Sequence, residues 1–557
     1  MLFRKCRYGL ASPDEAFYLV TPFRLLHGDR MLLEEWHLTQ FSSFTMIPEV
    51  GAYLLLAGNT DGMLLTFRVL YTGMWGAACL FLYFRMRAFH PAGAMCASLF
   101  LLCYAPFGIM AFSYNSLGIL YLMNAAVFLL CARRHRRIQH ALAGLFFAGA
   151  VLCCPYLMLI YGGYSLALGI RLMRGKAPLL SADRREARQC WQDFTLGAGI
   201  LAAVFLAVLL SRASLSELGT SLQHALQDEE HAPFSLLQKG SGYVTALWQA
   251  NRFFPLLMIL TAVLAVLTRI RRHPAFFWAV CAASLLSLRQ FLVEEPYLNY
   301  LMLPLTFPGI YVLAVTRSRR IRQLGWFWLV PGILYTFCLH CTSNTGFYAI
   351  SSAGAISSSA GLVLMGMYCR ELQEENHRMA REGRILTALS CAAALICFGF
   401  QMRYEIPLRY QTVFQEPGLM EYEEQRMLEA GPQKGIVATA EDAENYERMY
   451  RDAAQIQDKR VLFLTAETWP YLMNRNGVAA FSGWLGSINN GWDRTVSGET
   501  MTRLKRYYDL RPEKRPDVIF TDGENSALPA AYFDFPLSEP ERLENGYVLI
   551  RRAEPGS

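Results

Sequence analysis

Long apolar runs recur through the first 400 residues, separated by short polar segments, and no other feature limits the fold as strongly. Runs near the length that crosses a bilayer, about 20 residues, are read at 62–84, 92–112, 115–132, 195–211, 253–269, 275–290, 298–316, 324–340, 347–368 and 385–400. The apolar stretch between His140 and Arg171 is broken by CCPYLM and has basic ends, so it reads as a hairpin of two short helices, 141–154 and 157–172. The expectation is a polytopic α-helical membrane protein of about twelve helices. Composition agrees. The chain is 54% hydrophobic and 17% charged, where a soluble protein carries about 25% charged residues.

The segments between these runs alternate in charge. One set carries FRMRAFH, RRHRRIQ, RLMRGK with DRREAR, RIRRH, RSRRIR and CRELQEENHRMAREGR. The other holds SYNS, the long loop 212–252, EEPYLN and HCTSNTGF, with few cations, chiefly Arg212, Lys239 and Arg252. Basic loops stay cytoplasmic, so the net charge of +7 reports topology and not a nucleic-acid surface. Three regions follow: an extracytoplasmic first loop with interfacial helices at 1–61, a helical domain at 62–400, and an extracytoplasmic α/β domain at 401–557. Cysteines give no framework: of the fourteen, none follows residue 400, and CLHC (Cys338, Cys341) is an isolated spacing.

The C-terminal domain is predicted from the β-type runs KGIVATA, RVLFLTA, PDVIFTD and GYVLIRR, with a helix at EDAENYERMYRDAAQI. It has no Gly-rich phosphate loop, metal-ligand spacing or nucleophile elbow, which suits recognition or scaffolding better than a second catalytic centre. At the other end, MLFRKCRYGLASPDE is too short and too basic to cross a membrane. Either a first helix precedes it or it packs on the outer surface.

The stretch SPDEAFYLVTPFRLLHGD running into EEWHLTQFSSFTMIP, TFRVLY in the first complete helix, and the broken hairpin LAGLFFAGAVLCCPYLML together resemble the GT-C superfamily of integral-membrane glycosyltransferases. The nearest likenesses are the protein O-mannosyltransferase and aminoarabinose-transferase type and related bacterial enzymes. The resemblance spans residues 12–400. It implies transfer of a sugar from a polyprenyl-phosphate donor to an extracytoplasmic glycan, lipid or protein, in contact with membrane lipids. In that superfamily the first external loop carries an acidic residue at the reacting centre. Asp14 matches it, with Glu15 beside it as orienting partner or metal ligand. The second external turn, FSYNSLG, offers Asn115 where some members place another acid. That removes one ligand from a metal site shared between the loops.

A phosphate leaves readily, so this chemistry needs a carboxylate on the acceptor hydroxyl rather than an acid on the leaving group. The plain alternative is that Asp14 and Glu15 start a helix capped by Ser12, where acids favour the first turn. Both can hold together. The run from Glu15 to Gly28 reads as an interfacial helix setting the carboxylates at headgroup depth. Glu34, Glu35, His37 and Gln40 are candidates for sugar hydroxyls, with Trp36 to stack on the ring; a solvated loop with one membrane-edge Trp is the bland reading. A divalent cation, Mg or Mn, is an option on Asp14, Glu15, His27 and His37, though no tight spacing requires one. Arg68 lies inside an apolar helix, where a lone arginine is costly, and the family reading gives it the lipid phosphate. Arg289 could share that task or pair with Glu294 or Glu295; Lys239 and Arg252 are further candidates. Two other classes compete: a transporter or flippase, which would place charges near the midplane, and a non-catalytic scaffold.

Overall fold

The computed structural model describes residues 2–104, 111–132, 135–176, 178–181, 183–227, 235–294, 303–343, 345–375, 425–489 and 495–553. The predicted span at 385–400 lies outside the described residues. Each of the other eleven runs contains a helix, though that of 92–112 ends at Cys103 and that of 298–316 begins at Thr306, parts of both runs lying outside the described residues. Five are long and apolar enough to cross a membrane: Met63–Met86, Arg184–Arg212, Phe253–Ile270, Arg319–Thr342 and Phe347–Glu374. Shorter apolar helices lie between them, among them Pro91–Cys103, Tyr114–Leu130 and Leu157–Met173. The hairpin is broken where predicted: Arg136–Cys153 stops at Cys154, whose backbone is extended, and Leu157–Met173 begins three residues later.

Small residues let these helices approach closely, as membrane packing favours. A methyl group at Gly144 would stand 1.8 Å from the Phe194 carbonyl oxygen, and one at Gly197 1.8 Å from that of Ala141. Helices Arg136–Cys153 and Arg184–Arg212 therefore touch backbone to backbone. The serine- and glycine-rich part of Phe347–Glu375 is buried from Ala349 to Leu364. The basic loops gather at one end of the bundle, where Arg136 pairs with Glu186 and Arg272 Nη2 meets Glu371 Oε1 at 2.5 Å.

At the opposite end sits the C-terminal α/β region, and each predicted strand is present. β1 (Gln425–Met427) pairs antiparallel with β2 (Val437–Thr439). A second sheet runs β3 (Val461–Leu464), β4 (Val518–Thr521), β6 (Val548–Arg551) and β5 (Glu541–Arg542) in that spatial order. β3 and β4 are parallel, and β6 runs antiparallel to β4. β3 and β4 are buried along their whole length, as the continuous apolar runs VLFL and VIFT require.

The first loop is part of this unit. Tyr8 bridges to Val437 in parallel, with Val437 N–H donating to Arg7 O at 2.6 Å and Gly9 N–H to Val437 O at 2.9 Å. The basic N-terminus thus packs on the α/β region. Trp36 N–H donates to Phe481 O at 2.7 Å, and Gly62 N–H to Gly431 O at 2.9 Å. A single apolar core runs from Leu19, Phe23 and Trp36 through Leu64 and Phe67 to Ile436, Trp469 and Phe481.

That continuity corrects one expectation. The helix Pro13–Leu26 is buried from Glu15 to Leu25, so it does not lie half-immersed in headgroups. It is apolar nearly all round, and such a helix belongs inside. The α/β region covers the face that the sequence alone leaves open: a methyl at Gly483 would come within 2.9 Å of Val20.

Candidate active site

Ser12 caps the helix Pro13–Leu26, its Oγ accepting from Glu15 N–H at 3.2 Å, and Pro13 takes the first helical position. Asp14 and Glu15 therefore occupy the first turn, where the macrodipole favours anions. Adjacent helical residues point about 100° apart, and here the two carboxylates part company. Glu15 turns into the protein, 2% exposed, and grips Arg68 from both oxygens: Arg68 Nε to Oε1 at 2.6 Å and Nη2 to Oε2 at 2.8 Å. Arg68 is fully buried, and its Nη1 donates to the carbonyls of Cys6 at 3.1 Å and Gly9 at 3.0 Å. This pair ties the first loop to the membrane helix Met63–Met86. The guanidinium assigned to a lipid phosphate is thus turned inward, and Glu15 is committed to it.

Asp14 stays half-buried, one turn before Phe17 and Tyr18. Phe17 packs on the His37 ring at 4.8 Å and on Trp484 at 6.1 Å; Tyr18 faces Tyr114 at 6.0 Å. Thr468 Oγ1 fixes the helix start by donating to Pro13 O at 2.5 Å. Asn115, beside Tyr114, is buried, and its Oδ1 has no hydrogen-bond partner among the described residues. The first loop, the turn before Tyr114–Leu130 and the α/β region converge here. Asp14 precedes Phe17 and Tyr18 by three and four residues, the spacing that shares a helix face, and those two rings join the cluster drawn from all three.

The EEWHLTQ segment has internal partners instead of a ligand face. Glu34 is held by Arg30, with Nη2 to Oε1 at 2.6 Å. Glu35 Oε2 accepts from Arg24 Nη1 at 2.8 Å, and its Oε1 from His37 N–H at 3.1 Å. Trp36 is 2% exposed, stacked on Phe481 and edge-on to Tyr507, so no sugar reaches its face. Gln40 stitches the turn through Leu32 N–H and the carbonyls of Glu35 and His37. His37 Nδ1 lies 2.7 Å from Thr39 Oγ1. Behind them Arg24 also binds Asp29 at 2.7 Å, and Asp29 meets Lys514 of the α/β region. Burial raises the Glu35 carboxyl above its ordinary range in spite of Arg24. Burial would raise Asp29 too, but Arg24 and Lys514 outweigh it and hold it below.

The remaining candidates are scattered. His27 sits at the far end of its helix with Nδ1 on Phe23 O at 2.8 Å, about 20 Å from Asp14 along the axis. Asp14, Glu15, His27 and His37 accordingly form no metal cluster, and among the described residues no group of three or more His, Cys, Asp or Glu is placed to hold one. Lys239 Nζ reaches the carbonyls of His340 and Ser343 at 3.5 and 3.4 Å, and Arg252 is exposed. The Arg289 side chain lies outside the described residues. Sequence reasoning missed Tyr18, Tyr114, Thr468 and Trp484. The signal for Trp484 was a large aromatic in the Gly- and Ser-rich segment FSGWLGSI, since rigidly placed loop residues tend to serve ligands.

Fold and site together define a multi-pass helical membrane protein whose first loop and C-terminal α/β region form one capping unit. No protein-family model matches the chain, and neither does any curated protein. Among solved structures it is similar to the archaeal oligosaccharyltransferase AglB from Archaeoglobus fulgidus in complex with an inhibitory peptide and a dolichol-phosphate: 11% identity over 98% of this chain and 71% of that one, TM-score 0.44. The same enzyme tethered to an acceptor peptide gives 12% identity over 98% and 70%, TM-score 0.45. ArnT from Cupriavidus metallidurans gives 13% over 99% and 95%, TM-score 0.39. At such scores the likeness assigns no role to any residue of this chain.

Proposed function

We propose that the chain is an extracytoplasmic glycosyltransferase that moves a sugar from a polyprenyl-phosphate donor to a glycan, lipid or protein acceptor, with Asp14 as the working carboxylate. The observation that carries this reading is the divergence of the acidic pair: Glu15 turns inward to Arg68, while Asp14 is half-buried, three and four residues ahead of Phe17 and Tyr18, whose rings cluster with Tyr114 and Trp484. Aromatic faces suit the apolar side of a sugar ring, and a carboxylate at their edge suits its hydroxyls. The capping unit faces outward on the positive-inside argument, because the arginine-rich loops occupy the other end.

In the reaction, the acceptor hydroxyl attacks the anomeric carbon as the bond from that carbon to the phosphate oxygen breaks. The polyprenyl phosphate departs with the electron pair. Asp14 orients the hydroxyl and takes its proton, help worth about 10²–10⁴ in rate. Glu15 and Arg68 act one step back, fixing the first helical turn and hence the position of Asp14.

The test is release of polyprenyl phosphate from a panel of polyprenyl-phosphate sugars by the purified full chain, wild type against Asp14→Asn. Turnover falling about 10²–10⁴-fold with donor binding retained is the expected result. Equal turnover in both proteins removes Asp14 from the mechanism.

A further inference from the structure

The end of the bundle farthest from Asp14 holds a cavity of about 170 Å³ lined by Arg85, Phe89, Leu130, Cys131, Arg320 and Gln323. Arg85 lies 22 residues beyond Met63 on one helix, about 33 Å along its axis. Two guanidinium groups converge there, each held in place without an anion. Arg85 Nη2 donates to Cys131 O at 2.7 Å and Gln139 Oε1 at 2.6 Å, while its Nε is enclosed with no acceptor among the described residues. Arg320 lies over the Phe89 ring at 4.2 Å, and its Nη2 donates to Ala88 O at 3.4 Å. Among the described residues no carboxylate lines the cavity. Two acids at this end are engaged elsewhere, Glu186 with Arg136 and Glu371 with Arg272.

A site with one half-buried guanidinium, a second at its exposed rim and an enclosed donor selects an anion, and the forked donors of arginine match phosphate oxygens. The surroundings say where that anion comes from. Leu80, Phe84 and Ile138 are 56–61% exposed on the neighbouring turns, as lipid-facing residues are. Basic pockets between helices on the cytoplasmic side are suited to anionic head groups. The volume is below the roughly 300 Å³ of a pocket that takes a whole drug-sized ligand. It accommodates a phosphate head group while the chains stay in the bilayer.

We infer that this cavity binds the phosphate of an anionic phospholipid in the leaflet opposite the capping unit. The inference does not depend on the role given to Asp14.

The test is native mass spectrometry of the delipidated full chain titrated with phosphatidylglycerol or phosphatidylcholine, for wild type, Arg85→Gln, Arg320→Gln and the exposed control Arg87→Gln. Wild type and the control should retain phosphatidylglycerol in preference to phosphatidylcholine, and each cavity variant should lose about fivefold in that binding. Excess inorganic phosphate distinguishes the sources. If it fails to displace the lipid, the head group with its chains is the ligand; if it displaces it fully, the cavity is a phosphate site whichever molecule supplies it. Should a variant not fold, thermal stabilisation of wild type by phosphatidylglycerol over phosphatidylcholine is read instead. Equal retention of both lipids by wild type, or equal phosphatidylglycerol binding in all four proteins, overturns the inference.

Discussion

Replacing Glu15 by Gln tests the division of labour between the two first-turn acids. The change keeps the side chain's shape but leaves the Arg68 guanidinium, 0% exposed, without its counter-charge. Two of its four described hydrogen bonds end on Glu15 and two on the carbonyls of Cys6 and Gly9, so only the neutral half survives intact. Breaking a buried pair from one side costs about 3–5 kcal/mol. At about 2 °C per kcal/mol for a large chain, the unfolding midpoint in detergent should fall by about 6–10 °C. Asp14→Asn removes a half-buried first-turn charge, whose dipole interaction is worth about 0.3–1 kcal/mol, and should lower the midpoint by less than Glu15→Gln does. Replacing both partners, Glu15→Leu with Arg68→Met, should recover most of the loss, because no charge is then left stranded. A Glu15→Gln protein that melts with wild type would refute the reasoning. So would a double variant as unstable as the two single changes added together.

Three further expectations follow from the packing. Gly144→Ala forces a methyl to 1.8 Å from the Phe194 carbonyl, so the two helices must part by more than 1 Å; the cost is about 3 kcal/mol, visible as a lower melting midpoint, and an unchanged midpoint would show that the helices are not in backbone contact. Arg24→Met strands Glu35 and leaves Asp29 with Lys514 alone. It should cost about 3–5 kcal/mol and speed amide exchange in residues 29–40 and 479–482 together, where exchange confined to one side would contradict the shared core. Burial, with Asp442 adding to it, raises the Glu467 carboxyl to about 7. Its contribution to stability is therefore full below the ordinary carboxylate range and lost as pH rises through about 7. Glu467→Gln should be the more stable protein by about 3 kcal/mol at pH 8 and similar to wild type at pH 4.5; the same difference at both values would sink the assignment.

The membrane helices and the C-terminal strands were legible because their signals are local. An apolar run announces a span wherever it sits, and VLFL or VIFT bounded by turn residues announces a buried strand. The site was legible only in part. The pattern identified Asp14, Glu15 and Arg68 as residues needing an explanation, but not that two of them explain each other, since 53 positions separate them. EEWHLTQ reads as a polar surface loop, and most of it is interior. Its acids are neutralised by Arg24 and Arg30, and Trp36 is covered by Phe481 and Tyr507. Periodicity does not report such partners when they come from a distant segment.

The pairing of the first loop with the α/β region has a consequence for biogenesis. Arg24 closes on the Ala480 carbonyl, 456 residues later in the chain. At a synthesis rate of about 5–20 residues per second, the loop waits about 20–90 s for its cover. Throughout that interval Phe17, Phe23 and Trp36 stand unburied beside a bilayer that is still receiving helices. The loop that carries Asp14 is made 456 residues ahead of its cover and reaches its final form only when that cover arrives. Truncation of the C-terminal strands should therefore deprive the nascent chain of the first loop's final geometry, even with every membrane helix already inserted.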